Sequence, residues 1–161
     1  MKTYYSQNKI IVRDSTVADV LSLAYSMRPS DRQEIYDSHH HGPQEALDIS
    51  LEQSALCFTV ENNGDVVAMF GACPDSVLGD SATVWMLSSP GLDRIRRRFA
   101  RRSKFFIDFM LSIYPYLENH VSVKNTSSIK WLKMCGAKFM EPKPYGLENQ
   151  MFRKFWFSLE K

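Results

Sequence analysis

The chain is poor in the residues that staple, bend or anchor small proteins. Its three cysteines, Cys57, Cys73 and Cys135, each sit in an apolar stretch, and none belongs to a CxxC pair. That excludes a disulfide framework and a structural zinc site, and it points to a reducing compartment. No apolar run reaches the ~18 residues a membrane-spanning helix needs, and Met1–Gln7 lacks the apolar core of a signal peptide. The expected location is therefore a cytoplasm, or a particle packaged from one, with no membrane contact. Charge of one sign is missing too. Twenty basic residues face eighteen acidic ones, a net +2, so the chain as a whole is no polycation. There is no repeat, no low-complexity segment and no compositional break, so residues 1–161 are expected to form one domain.

What is present is an ordinary globular composition, 44% hydrophobic and 24% charged. Lys9–Arg13 reads as a short strand, and Val17, Val20, Leu21 and Leu23 recur at helical spacing until Pro29. A second helix is expected over Asp31–Asp37. His39-His40-His41-Gly42-Pro43 reads as an exposed polar linker, and a third helix over Gln44–Gln53. Leu56–Val60 and Val66–Phe70 flank Asn63-Gly64, the favoured pair for a type I′ hairpin turn. An unbroken ladder from that turn sets Phe58 opposite Met69 and Val60 opposite Val67. Both faces are apolar, so helices should cover both.

The stretch Ala82–Ala137 organises the rest. It reads as strand 82–88, the loop Ser88-Ser89-Pro90-Gly91, and a basic helix from Asp93 to about Tyr114 that buries Ile95, Phe99, Phe106, Met110 and Ile113. A strand over 119–123 follows, then a helix capped by Asn125 or Ser127 and closed by Gly136. Residues 141–146 read as a loop, and Phe152–Leu159 as a last strand with Phe155, Phe157 and Leu159 on one face. The predicted class is α+β, with one mixed sheet between helical layers.

A strand that delivers a loop onto a helix start is a physical setting for binding phosphate, because the first helical N–H groups lack internal partners. Here that start carries Arg94, Arg96, Arg97, Arg98, Arg101, Arg102 and Lys104. Three readings stand side by side: a solvated face, a grip on a phosphate ligand, or a surface for a polyanion. No aromatics interleave with the arginines, which disfavours nucleic acid as a partner. Asn125 reads either as an Asx-turn cap or as a ligand contact. No set of residues has metal-ligand spacing.

The element order, the segment Asn125-Thr126-Ser127-Ser128-Ile129-Lys130-Trp131-Leu132 with Gly136 beyond it, and the opening Ile11–Asp19 resemble the GNAT N-acetyltransferase superfamily over essentially the whole chain. Val84-Trp85-Met86-Leu87, the arginine-rich helix and Asn125–Ile129 resemble more narrowly a GNAT-like family of short-tailed, T7-like phages, tied to virion assembly and the internal core.

The resemblance implies a mostly antiparallel sheet with helices on both faces, and acetyl-CoA as cofactor for transfer to an amine. It implies coenzyme contacts from Met86, Leu87 and Ser88, phosphate contacts from Arg94, Arg96, Arg97 and Arg98, and a far wall of Asn125 and Ser128. Two departures accompany it. The family's glycine-rich diphosphate loop is reduced here to Gly91, and the usual tyrosine proton donor is Leu132. No catalytic residue is assigned; Glu52, His120 and Asp80 are the candidates for a base by coarse position. The alternative is a non-catalytic phage protein that uses the fold for assembly or for contact with a phage or host protein.

Overall fold

In the computed structural model, which describes residues 1–159, nine strands form one sheet. They are β1 (Thr3–Gln7), β2 (Ile10–Asp14), β3 (Leu56–Asn62), β4 (Asp65–Pro74), β5 (Ser81–Ser88), β6 (Tyr116–Ser122), β7 (Lys138–Phe139), β8 (Lys143–Tyr145) and β9 (Gln150–Ser158). The order across the sheet is β1-β2-β3-β4-β5-β6-β9-β7, with β8 also on β9. Every pairing is antiparallel except β5 with β6. The expected mixed sheet between helical layers is the observed fold.

Helices α1 (Val17–Ser26), α2 (Pro29–His39) and α3 (Pro43–Gln53) cover one face. Val20, Leu23, Ile35 and Leu47 pack there on Met69. Helices α4 (Arg96–Leu111) and α5 (Thr126–Met134) cover the other, where Phe99, Phe106, Met110 and Leu132 meet the sheet. Phe58 is the hub of that second core. Its ring lies 5.0 Å from Tyr4, 5.0 Å from Phe70 and 5.5 Å from Phe106. Pro29 and Pro43 each occupy the first turn of a helix, where a missing N–H costs nothing. Pro29 thus starts α2 as well as ending α1, and α2 is longer than the sequence suggests.

The Asn63-Gly64 turn forms as expected, with φ of 55° and 88°. The ladder beyond it is not unbroken. A bulge between Val60 and Glu61 leaves Val67 unopposed, so Val60 pairs with Ala68 and Phe58 with Phe70. This one-residue slip stacks the two phenylalanines and corrects the register expected from the turn alone.

A second hairpin, β1–β2, turns on Asn8-Lys9 at φ of 52° and 65°. Lysine is an unusual occupant of the left-handed region, and the sequence reading found no strand at β1.

The basic helix begins as a 3₁₀ turn over Pro90–Ile95 and becomes α-helical only at Arg96. Ile113 lies past its end and is exposed, while Ile107 takes the buried place. Leu159 leaves β9 for solvent, and residues 143–145 form an edge strand rather than loop.

Candidate functional site

The parallel junction of β5 and β6 is short, three pairs from Ser81↔Tyr116 to Thr83↔Glu118. Asn119 ends it as a wedge. Its Nδ2 donates to the Val84 carbonyl at 2.8 Å, and its Oδ1 accepts the His120 N–H. Beyond that point the strands splay around a cleft of about 740 Å³. Met86, Leu87 and Trp85 form one wall; Asn125, Ser128 and Leu132 contribute to the other. His120 and Tyr145 stack at 3.8 Å along the lining.

Antiparallel alternation turns the main-chain groups of Val84, Met86 and Ser88 away from β4 and toward the splay. Val84 is met by Asn119. Ser88, at the far end, is met by α2: its N–H donates to Asp31 Oδ2 at 2.8 Å, and its carbonyl accepts the Arg28 N–H at 2.8 Å. Arg28 also grips Asp31 through its guanidinium, at 2.8 Å. Between these two closures the Met86 N–H and C=O are directed into the opening.

One turn along α2, Glu34 does for β6 what Asp31 does for β5. Its Oε1 accepts the Ser122 N–H at 3.0 Å and Asn125 Nδ2 at 3.1 Å. Residues three apart on a helix share a face, so α2 lays two carboxylates across the open ends of both strands. Burial pushes the Glu34 carboxyl up to about 7, against the opposing pull of the Asn125 and Ser122 donors.

Asn125 is buried and its Oδ1 accepts the Ser128 N–H at 3.3 Å, so it caps α5 while its amide holds Glu34. Of the two readings left open for it, Asn125 is the helix cap, and the same side chain faces the cleft.

The loop after β5 is closed on itself. The Ser89 N–H donates to the Val67 carbonyl at 2.9 Å, and Pro90 has none to give. The Gly91 N–H donates to Ser89 Oγ at 3.2 Å, and the Leu92 N–H to the Ser89 carbonyl at 3.1 Å. Gly91 is required by its neighbour: a Cβ there would stand 2.9 Å from Val67 Cγ1.

The structure thus brings Met86, Leu87, Asn125 and Ser128 together on the cleft and buries Ser88 at its end. Arg94, Arg96, Arg97 and Arg98 are exposed on the 3₁₀ turn and the first turn of α4, and they do not line the cleft. Of the sequence candidates for a base, His120 lines it, whereas Glu52 and Asp80 are exposed elsewhere. Asp31 and Glu34 escaped the sequence reading. Their spacing was visible, but nothing in the sequence ties α2 to strand ends far along the chain. His39 and His41, read as linker, stack on each other at 5.6 Å and line the same cleft. Among the described residues no group of His, Cys, Asp and Glu is placed to hold a metal ion, and no helix is long and apolar enough to cross a membrane.

The family model for the bacteriophage T7 probable scaffold protein Gp13 matches residues 56–142, from β3 to just past β7. Probable scaffold protein gp13 of Escherichia phage T7 is 33% identical over 124 residues, covering 74% of this chain and 87% of that protein. The chain belongs to the Gp13 family. The match to the family model includes β5, the closed loop, α4, β6 and α5, and leaves out α2 with its two carboxylates.

In fold, this Gp13-family chain is similar to ribosomal-protein-S5-alanine acetyltransferase from Vibrio fischeri (TM-score 0.68, 13% identity, 98% of this chain and 97% of that one). It is similar also to ribosomal-protein-S18-alanine N-acetyltransferase from Escherichia coli (TM-score 0.66, 14% identity, 94% and 95%). The architecture is that of the GNAT acetyltransferases.

Proposed function

We propose that this chain is a phage assembly protein that keeps a GNAT-like scaffold and has closed the loop where such a scaffold would seat a coenzyme diphosphate. One observation carries this reading. Every main-chain N–H from Ser88 to Leu92 is already bonded within the protein, and that of Ser88 is held by a carboxylate. Binding a diphosphate there needs free N–H groups and a positive local field. The loop has no N–H free to offer, and the arginines that carry the positive charge beside it, Arg94 to Arg98, do not line the cleft, so the loop does not fit a coenzyme A diphosphate. Leu132, a buried aliphatic side chain, also has no proton to give a leaving thiolate. The family relationship supports the same reading, because the T7 relative is described as a scaffold protein.

A second reading, acetyl-CoA binding with transfer to an amine, is favoured by the Met86 main chain and the open cleft beside it. Calorimetric titration with acetyl-CoA and with coenzyme A separates the two. The assembly reading expects no heat at millimolar ligand. Micromolar binding that is weakened by Met86→Pro, which removes the main-chain N–H directed into the cleft, would replace it with the enzymatic reading.

A further inference from the structure

Several arginines are committed within the fold: Arg32 and Arg153 donate to main-chain carbonyls, and Arg102 lies over the Tyr5 ring. Arg13 and Arg28 are held by carboxylates, Arg13 by Asp19 and Glu61 and Arg28 by Asp31. Among the described residues no carboxylate lies within salt-bridge reach of Arg94, Arg97, Arg98 or Arg101, and all four are exposed. The buried side of α4 is set by Phe99, Ser103, Phe106 and Met110. At 100° per residue, that leaves Arg97, Arg98 and Arg101 on the outward side, with Phe105 beside them and 57% exposed.

Folding gains nothing from this placement. The first turn of α4 contains three arginines and no acidic residue, at the helix end where positive charge is disfavoured. Charge held against a helix dipole, unpaired and next to an exposed aromatic ring, leaves a surface free to meet a partner.

We infer that the outward face of α4, centred on Arg97, Arg98, Arg101 and Phe105, docks an acidic segment of another protein that sets an apolar side chain against Phe105. The inference rests on the assembly reading above. Charge complementarity selects an anion, and two features select protein over nucleic acid. The row is headed by exposed Asp93, so a long polyanion lying along α4 would meet like charge at that end, while Asp108 beyond the row is held by Lys104 at 3.0 Å. From Arg94 to Arg101 the row is about 12 Å long, which suits one helix or short strand and only a few phosphates. The guanidinium fork pairs bidentately with carboxylates, and Phe105 adds area to bury.

The test uses the whole protein with two probes, a short Glu-rich peptide carrying one leucine and duplex DNA of equal charge, at about 0.15 M salt. The peptide is expected to bind at one site, and Arg97→Glu/Arg98→Glu is expected to weaken it about tenfold or more. The same variant should melt at a higher temperature than the parent, since its charges now suit the helix end. Tighter binding of DNA than of peptide overturns the inference in favour of nucleic acid. Absence of peptide binding, or binding unmoved by the variant, overturns it outright.

Complementation in the phage separates this inference from the reading beneath it. If phage deleted for the gene assembles normally, the assembly reading fails. If the deletion blocks assembly and the charge-reversed variant restores it fully, the assembly reading stands and the arginine face falls.

Discussion

Asp31 Oδ2 accepts the main-chain N–H of Ser88 at 2.8 Å, joining the first turn of α2 to the last residue of β5. The same carboxylate carries Arg28 and receives a weaker hydrogen bond from Ser88 Oγ at 3.3 Å. Ser88 is fully buried.

Removing that carboxylate leaves a buried N–H and a part-buried guanidinium without their acceptor. Asp31→Ala is expected to cost about 2–4 kcal/mol. Urea denaturation measures it, and hydrogen exchange at the Ser88 amide should accelerate by more than at Ser122. Equal acceleration at both would mean that α2 had been lost as a whole.

Glu34 gives the chain a pH dependence of definite sign. Its folded carboxyl sits at about 7 against 4.5 for the free group. A raised carboxyl contributes stability that is complete below about pH 4.5 and lost as pH rises through 7. Glu34→Gln keeps an acceptor for the Ser122 N–H and cannot ionise. Relative to the parent, it should gain about 2–3 kcal/mol between pH 4.5 and pH 8. Urea midpoints across that range test this, and parallel curves for the two proteins would refute it.

Asp19 behaves in the opposite sense. Burial pushes its carboxyl up, but Arg13, the Thr16 N–H and the Thr59 hydroxyl more than offset that and hold it below the usual range. A lowered carboxyl contributes stability that is present above the free value and lost as pH falls through the folded one. Asp19→Asn should therefore cost about 3 kcal/mol at neutral pH, because Arg13 is left partly buried without its bidentate partner at 2.8 Å. The deficit should shrink in acid below pH 4, where the parent loses the same charge; a deficit constant with pH would remove the ionic explanation.

Gly91 is placed by packing, so Gly91→Ala should destabilise by about 1–3 kcal/mol as the new Cβ meets Val67. Adding Val67→Ala vacates the space. A double-mutant cycle should show strong coupling, and independent effects would mean that Gly91 serves the backbone instead.

Much of the fold was legible because its signals are local. Asn63-Gly64 announced one hairpin and Gly136 announced the end of α5. The hairpin at Asn8-Lys9 was hidden because Lys9 fills a position that sequence rules reserve for glycine or asparagine. The Val67 bulge left no mark in a run of apolar residues that satisfies either register. The cleft was half legible. Met86 and Asn125 follow from strand and cap, but the carboxylates that close the cleft meet partners 57 and 88 residues distant, and no short-range pattern encodes such pairings. The closed loop is the same kind of miss: a single glycine was visible, yet its neighbour Val67 lies on another strand.

The three-residue junction of β5 and β6 is the seam between two halves of the sheet. From β1 to β5 every neighbour in the sheet is also the next strand in sequence, although β2 and β3 are joined across the three helices α1–α3. The β5–β6 junction is made across the 3₁₀ turn and α4, and the Ser122 N–H beyond it is held by Glu34. The two carboxylates of α2 thus act as a clasp across the splay, Asp31 on the end of β5 and Glu34 on the end of β6, so that one short helix ties the two halves of the sheet together.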